Sequence, residues 1–553
     1  MKNGTHAPTA ISRRDTFRLA SLFAASALTS DLIGGAAAFA ATPGRLVVAA
    51  PGTPQSLDNE YDGSLGTIDA IGQLYDSLVA YKKIPDPKVP GVMRENIVDV
   101  PGLPGDADLE GRLAESWEVA PDGMMLRMRL RKGVKSNWGN ELTADDVKWT
   151  WDRKFALNAI GGFQVGLMDL ATPDSVKVED RYTVSFHPAH PNPIMLKIQT
   201  HRYANIFDSV KCKQMATPED PWARKFLENN SAGFGPYSLK SLVRGQQAVF
   251  EARADYYLGK PAIDTIIYKE VPTSATRVAL LQGGAVDIAQ ALQPLEIKQL
   301  AKAPGVKIET VDASSMMWII LNAKVAPFDK PEVRQAMNYA FPRDAVIASI
   351  FQNIAGPLKG CMPSIYPGFS DAFDDYTLDL DKAKALLVKA GLPDGFKVEI
   401  SYNAGDPVQE PIALLFQTSL RKIGVDLVLH KVPAGTYFNE VSGKKQAMLF
   451  FVDAPWTADP VFALRLYFYS KSFVDYSNYA NPEVDKMIEA GSQMTDLAKR
   501  TELMLEIQKI VMADAPWVFV ASPNFTMARR DKVEGFTYYT SNSINFADFS
   551  VKG

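Results

Sequence analysis

The sequence predicts a mixed α/β fold that is divided into two or three lobes. Segments with strand-like alternation and segments with helical spacing of apolar residues follow one another along the chain. The chain of 553 residues is too long for one hydrophobic core, and 46% hydrophobic and 22% charged residues are typical of a globular protein. The net charge of -4 gives no reason to expect nucleic acid as a partner.

Residues 1–41 are expected to be an export signal that is cleaved near Ala40. Arg13 and Arg14 precede an apolar stretch at residues 19–28, and Ala38-Phe39-Ala40 is a small-residue cleavage site. Paired arginines in this position favour a twin-arginine route, although the general secretory route remains open. Both routes lead out of the cytoplasm, so we predict a periplasmic location.

The most informative run covers residues 113–153 and is predicted to form a hairpin, a loop and a helix. Residues 124–130 alternate as in a strand. Thr143 followed by Asp146 is the pattern of a capping box at a helix start. The apolar face of this helix repeats at four-residue spacing and consists of Val147, Trp151 and Phe155.

The other elements follow from similar patterns. Strands are predicted at residues 45–50, 176–186 (a hairpin), 238–242, 248–252, 318–322, 398–402, 425–430 and 517–521. Helices are predicted at residues 333–347 with an interruption near Pro342, at 379–391, at 412–423, and at 495–514 with Thr495 as its cap. Residues 82–108 are rich in Pro and Gly and are expected to form a loop with little regular structure.

This ordered series of motifs resembles the family 5 bacterial extracellular solute-binding proteins, which include dipeptide, oligopeptide and nickel receptors of ATP-driven importers. The resemblance rests on residues 113–153, on the turn Gly233-Phe234-Gly235-Pro236-Tyr237 and on residues 277–288, and it covers about residues 45–550. It implies a periplasmic-binding-protein fold with two main lobes plus an extra lobe.

The resemblance also implies the order of the lobes along the chain. Lobe I is expected to comprise residues 42–70, 222–315 and 525–553, lobe II residues 71–221, and lobe III residues 316–524. In such proteins the ligand lies between lobes I and III, which close on it by a hinge motion.

No sequence motif indicates an enzyme, a metal site or a cofactor. The chain has no G-x-S-x-G, H-E-x-x-H, P-loop, G-x-G-x-x-G or C-x-x-C pattern. His187 and His190 are three residues apart, but neighbouring prolines place them in an irregular turn. Cys212 and Cys361 are expected to be unpaired, although an oxidising compartment permits a disulfide.

Aromatic side chains and isolated charges are the candidates for ligand binding, because clefts for small polar molecules use aromatic faces and a few charges. The family layout indicates Tyr61, Trp318 and Tyr437. A place in the hydrophobic core is the alternative for Trp318 and Tyr437.

The segment at residues 454–460 departs from the family pattern W-x-x-D-x-x-D-P. Asp459 and the proline after it match the final D-P, which puts Trp456 where peptide receptors have the Asp that binds the ligand's ammonium group. Asp453 would supply a carboxylate if the register is shifted by three residues. The alternative for Asp459 is a turn or helix cap. We therefore include Trp456, Asp459 and Asp453 among the ligand-binding candidates.

The loop at residues 403–411 has no Arg or Lys, although dipeptide receptors carry there an Arg that holds the peptide carboxylate. Both ends of a zwitterionic peptide thus lack their expected partner, and burying an unpaired charge is costly. An ordinary dipeptide is therefore disfavoured.

These observations predict a monomeric periplasmic substrate-binding protein of an ABC importer. It would capture a peptide-like or other small organic solute between two lobes and deliver it to the membrane permease subunits. An opine-like compound or an oligosaccharide is an alternative ligand. A periplasmic protein that presents its ligand to a membrane sensor is an alternative function, and a hydrolase on the same fold is a weaker one.

Overall fold

The computed structural model describes residues 44–58, 60–97, 108–157, 159–455 and 457–552. The predicted export signal and Trp456 therefore lie outside the described residues. Helices and strands alternate along the chain, so the predicted mixed α/β class is confirmed.

The strand Arg45–Ala50 lies in the middle of a seven-stranded sheet, which we call the N-terminal sheet. It pairs in parallel with two neighbours, and its last five residues are buried. A strand that is covered on both faces needs a continuous apolar run, which this segment has. In spatial order the strands are Tyr237–Val243, Gln247–Ala252, Thr265–Glu270, Arg45–Ala50, Ile288–Ala289, Phe525–Arg530 and Val306–Val311.

A second large sheet, which we call the C-terminal sheet, has six strands. All six residues of its strand Met316–Leu321 are buried. This strand pairs antiparallel with both neighbours. In spatial order the strands are Ala355–Pro357, Trp517–Pro523, Met316–Leu321, Met448–Asp453, Lys397–Asn403 and Asp426–Val432.

The predicted hairpin, loop and helix at residues 113–153 are present. The backbone N–H of Thr143 donates to the Asp146 carboxylate (2.7 Å), which is the expected capping contact. Val147 and Trp151 are fully buried. The strands form one four-stranded sheet in the order Ala114–Val119, Leu126–Leu130, Thr183–Phe186 and Val176–Asp180. This sheet falls within the residues predicted for lobe II, and the lobe boundaries themselves stay a prediction.

Helices cover both large sheets. The interruption near Pro342 is confirmed, because one helix ends at Tyr339 and the next begins at Arg343. The predicted cap at Thr495 is wrong, because the carboxylate of Asp496 accepts two backbone N–H groups of the first turn. The α-helices are Leu65–Leu74, Ala144–Leu157, Gly162–Leu167, Met195–Ile198, Ser209–Met215, Arg224–Leu227, Ser274–Gln282, Pro294–Leu300, Pro331–Tyr339, Arg343–Ser349, Leu380–Lys389, Gln409–Leu420, Ala434–Gly443, Pro460–Phe468, Pro482–Gln493 and Leu497–Asp514.

Short strands connect the larger elements. The expectation of little regular structure at residues 82–108 is partly wrong, because two short strands form there through pairing with each other and with a strand near the C-terminus. Residues 98–107 lie outside the described residues. The short strands are Val79–Tyr81, Lys83–Pro85, Met93–Glu95, Leu109–Gly111, Val533–Glu534, Thr537–Tyr538 and Ser550–Val551.

The chain crosses between the two large sheets at two neighbouring points. Val306–Val311 of the N-terminal sheet leads through residues 312–315 into Met316–Leu321 of the C-terminal sheet. The strand that ends at Pro523 returns through Asn524 to the strand that begins at Phe525. The two sheets are therefore joined along one edge of the space between them.

Both cysteines, Cys212 and Cys361, are buried and unpaired, as predicted. Burial raises the pKa of both thiols. In the described part of the chain, no helix combines the length and apolar character needed to cross a membrane.

Candidate ligand-binding cleft

A cleft between the two large sheets contains a chamber of about 460 Å³, which we call the large chamber. Gln290 and Gln293 on its wall follow a strand of the N-terminal sheet, whereas Val452 belongs to the C-terminal sheet. Ser315 and Asn524, from the two crossings, also line it. Sites for small organic ligands measure roughly 300–1,000 Å³, so this chamber has a suitable size.

A second chamber of about 210 Å³, which we call the small chamber, continues the cleft. It shares Ser315, Val452 and Asn542 with the large chamber. Its wall also carries two residues of opposite charge, Arg202 and Asp453. The two chambers thus adjoin; the large one is mainly uncharged, and the small one carries charges of both signs.

Of the predicted ligand-binding residues that the structure describes, Asp453 is the one that lines these chambers. It ends the strand Met448–Asp453, where it pairs with Met316. One carboxylate oxygen accepts the Ala454 N–H (2.8 Å) and the other accepts the Tyr467 hydroxyl (3.1 Å). The shifted register considered from the sequence therefore supplies a carboxylate to the cleft.

Asp459 has the alternative role, that of a helix cap. Its carboxylate accepts the Phe462 N–H (2.9 Å) and so caps the helix Pro460–Phe468. It also receives two hydrogen bonds from the Arg500 guanidinium (2.6 and 2.8 Å). Burial alone would raise the pKa of Asp459, but the Arg500 guanidinium lowers it below its usual value. These partners lie within the protein, so we assign Asp459 a structural role.

Two predicted aromatic residues are held by core packing. Trp318 is 1% exposed and stacks on Trp517 with ring centroids 4.2 Å apart. Tyr437 is buried, and its hydroxyl donates to the Phe450 carbonyl oxygen (2.7 Å). Both follow the alternative stated from the sequence, a place in the core.

Tyr61 and Trp456 complete the predicted set. The Arg224 guanidinium lies over the Tyr61 ring, 3.8 Å from its centroid. The structure thus places Tyr61 against an intramolecular cation. Trp456 lies outside the described residues, so its contact with ligand stays a prediction.

Sequence reasoning missed Arg202 and His201. The Arg202 guanidinium donates to the Ser541 carbonyl oxygen (2.9 Å), and both residues line the small chamber. Burial lowers the pKa of the His201 imidazole, which favours its neutral form. These residues belong to no motif. The fold brings them close to Asp453, the end of a strand that follows them by more than 200 residues in the sequence.

The loop at residues 403–411 does reach the cleft. Asp406, Pro407 and Val408 line the large chamber. The family pattern predicts an Arg in this loop, which the loop lacks. It does not predict the acidic residue Asp406, which the loop contains. Within the described residues, no three His, Cys, Asp or Glu side chains are grouped as a metal ion would require.

Residues 108–475, more than half of the chain, match the family described as "Bacterial extracellular solute-binding proteins, family 5 Middle". The chain belongs to this family. Members of the family are binding proteins that serve transport. The family assignment made from the ordered motifs is therefore confirmed.

Two relatives from Escherichia coli (strain K12) are similar over most of their length. The chain is 29% identical over 442 residues to the probable D,D-dipeptide-binding periplasmic protein DdpA, with coverage of 79% of this chain and 84% of the relative. It is 27% identical over 546 residues to the dipeptide-binding protein, with coverage of 92% and 94%.

Solved structures confirm the periplasmic-binding-protein fold. DppA from Helicobacter pylori in complex with the peptide STSA superposes with a TM-score of 0.79 at 24% identity, covering 92% of this chain and 98% of that one. AgaA from A. tumefacien R10 in complex with agropinic acid gives 0.77 at 24% identity, covering 92% and 99%. The fold is therefore shared by proteins with different ligands.

Proposed function

We propose that the protein is the substrate-binding component of an ATP-driven importer and that it captures a peptide-like solute with a free ammonium group. The names of two relatives, which refer to a D,D-dipeptide and a dipeptide, support a peptide-like solute. The observation that carries the proposal is the Asp453 carboxylate on the wall of the small chamber.

A carboxylate in this position suits a primary ammonium group. The ammonium group has three N–H donors and would lose its hydration on entering the chamber, so it needs acceptors and a counter-charge there. Asp453 offers both, and its orientation is fixed by the Ala454 N–H and the Tyr467 hydroxyl. A charge-assisted hydrogen bond of this kind is stronger than a neutral one.

Arg202 offers a partner for a carboxylate of the same solute. Its guanidinium donates to the Ser541 carbonyl oxygen and lines the chamber that Asp453 lines. A planar guanidinium binds a carboxylate with two parallel hydrogen bonds. The argument against a dipeptide from the loop at residues 403–411 therefore loses force, because a basic residue from another segment lies in the cleft.

The remaining features of transport extend this proposal. Arg13, Arg14 and the predicted cleavage site near Ala40 support export to the periplasm, where a monomer would meet the permease subunits. The names of the relatives include a periplasmic protein.

Mass spectrometry of gently purified protein, followed by titration calorimetry, tests the class of solute. The titrants are an L,L-dipeptide, the matching D,D-dipeptide, glutathione and agropinic acid. Thermal shift is a suitable first screen, because a solute at 100 times its Kd stabilises the folded state by about 2.7 kcal/mol. We expect binding of a peptide-like compound. Binding of agropinic acid alone would contradict the proposal and favour an opine receptor.

Asp453→Asn tests the role of the carboxylate. We expect affinity to fall about 10-fold or more, because one charge-assisted hydrogen bond contributes about 1.5–3 kcal/mol. Asp426→Asn is the matched control, since Asp426 is exposed at the amino end of Asp426–Val432 in the same sheet. Wild-type affinity in Asp453→Asn, with the same solutes, would overturn the proposed contact.

A further inference from the structure

The large chamber carries one charged side chain among the described residues that line it, and that side chain is Asp406. Asp406 lies between the strand Lys397–Asn403 and the helix Gln409–Leu420. The other polar side chains of this chamber are uncharged; they include Gln290, Gln293 and Asn542. Among the described residues that line the chamber, the single formal charge is therefore negative.

The Asp406 carboxylate is held in place by its own loop. One oxygen accepts the Val408 N–H (3.0 Å), and the other accepts the side-chain amide of Gln409 (2.9 Å). Burial raises the pKa of Asp406, which reflects reduced hydration of the charged form. Each oxygen keeps a second lone pair for a further donor. The carboxylate thus has a fixed orientation. Its two donors are neutral groups, so they do not balance its negative charge.

Sheet pairing explains why two carboxylates reach one cleft. Lys397–Asn403 and Met448–Asp453 are parallel neighbours, with Ile400 opposite Met448. Parallel strands end at the same edge of a sheet, where α/β proteins bind their ligands. Asp453 ends one strand and Asp406 follows the other, yet they line different chambers. A solute that extends through both chambers therefore meets one carboxylate in each.

We propose that the large chamber receives a second cationic group of the solute, so that the preferred solutes are peptide-like molecules with a lysine-type amine or a guanidino side chain. The inference rests on the proposed function, because it assumes that the first ammonium group is bound at Asp453. A solute carboxylate in the large chamber would be repelled by Asp406. A purely apolar group would remove water from the Asp406 carboxylate without replacing its hydrogen bonds.

Asp406 also has a local role that needs no charge, because its contact with the Val408 N–H closes a turn. Asn at this position keeps an acceptor for the turn and removes the negative charge. Asp122 provides a matched control, since its carboxylate accepts the Met124 N–H (3.0 Å) in an exposed turn of the four-stranded-sheet region. Asp406→Asn and Asp122→Asn therefore make the same change in similar turns.

The test compares alanyl-lysine with alanyl-norleucine, and lysyl-alanine with norleucyl-alanine, by titration calorimetry at about 0.15 M salt. The two members of each pair differ by one amino group. For at least one pair we expect the wild-type protein to prefer the lysine peptide by about 10-fold or more. Asp406→Asn should abolish this preference and keep the affinity for the norleucine peptide, whereas Asp122→Asn should behave as the wild type.

The outcomes separate the two proposals. If norleucine and lysine peptides bind equally well to the wild type, or if Asp406→Asn keeps the preference, the second cationic site is overturned while the peptide-receptor function stands. If no peptide of the panel binds the wild-type protein, the proposed function fails and the second cationic site fails with it.

Discussion

Two regions of the molecule use the same kinds of charged side chain in opposite ways. Where the helix Ala144–Leu157 meets the loop after the first strand, Arg153 pairs with Asp58 and Lys154 pairs with Glu60, and these side chains are at most 1% exposed. In the cleft, Asp453 and Asp406 lie on chamber walls. In the first region the charges form buried ion pairs, whereas in the second the negatively charged residues line space that a solute can enter.

The difference shows that burial and charge alone do not identify a ligand contact. A buried ion pair holds its two side chains in one arrangement, and removal of one partner leaves an uncompensated charge. A carboxylate on a chamber wall contributes mainly to affinity. Substitutions in the two regions should therefore separate stability from binding.

The largest effect is expected at the buried pairs. Arg153→Met should lower the free energy of unfolding by about 4 kcal/mol, because the Asp58 carboxylate would remain buried without its counter-charge. Urea denaturation measures this loss. The double variant with Asp58→Asn should recover part of the stability. A loss below about 1 kcal/mol would contradict the comparison, because it would show that water reaches the Asp58 carboxylate.

Asp459 and Asp453 allow the same comparison of stability with binding within a single segment of the chain. Asp459→Asn should lower the free energy of unfolding by about 3 kcal/mol, since it leaves the Arg500 guanidinium buried and unpaired, and should change solute affinity little. Asp453→Asn should do the reverse, with stability within about 0.5 kcal/mol of the wild type. Urea denaturation and calorimetry on both variants decide this. Loss of affinity in Asp459→Asn at full stability would restore Asp459 as a ligand contact.

Asp69 lies between the buried ion pairs and the carboxylates of the chamber walls, because it is buried directly behind the cleft. Its carboxylate accepts hydrogen bonds from Gln290 (2.7 Å) and the Ile544 N–H (3.1 Å), and both of these residues line the large chamber. Burial raises the pKa of Asp69 from 3.8 to about 6. The folded state then binds the proton more tightly than the unfolded chain, so this group's contribution to stability falls as pH rises from about 4 to 6.

Thermal unfolding across this pH range should show the effect as a difference between variants. We expect Asp69→Asn to remove a decline on the order of 2 kcal/mol that the wild-type protein shows between about pH 4 and pH 6. Asp426→Asn should give a curve parallel to that of the wild type, because Asp426 is exposed. Parallel curves for Asp69→Asn and the wild type would show that Asp69 keeps an ordinary pKa.

The smallest effect is expected at Tyr61. Arg224→Ala removes the guanidinium 3.8 Å from the Tyr61 ring centroid and should cost about 0.5–1 kcal/mol of stability, since Arg224 is exposed. Solute affinity should stay unchanged. A marked change in affinity would place Tyr61 in the ligand site, as the sequence predicted.

Local patterns predicted most of the fold. The contact between Thr143 and Asp146, the break at Pro342 and the stop of a helix before Gly391 depend on neighbouring residues, so the sequence contains the necessary information. The cap at Thr495 was wrong because a better acceptor, Asp496, follows directly.

The site could be predicted only in part, because its walls come from distant parts of the chain. Asp453 followed from a family pattern, whereas Arg202 and Asp406 reach the cleft through contacts between distant segments and through sheet pairing, which no local motif specifies. Aromatic residues are ambiguous for another physical reason. A strand such as Met316–Leu321, which is buried on both faces, has the same composition whether its Trp meets a ligand or the core.

The two chain crossings have a mechanical consequence. Val311 pairs with Phe525 on one side of the crossings and Met317 pairs with Ala521 on the other. Each pair joins two strands of the same sheet, so a turn about the line through both crossings would keep both pairs and change backbone torsions at few residues, Asn524 among them. We therefore expect the two sheets to move relative to each other mainly by rotation about this line when a solute binds.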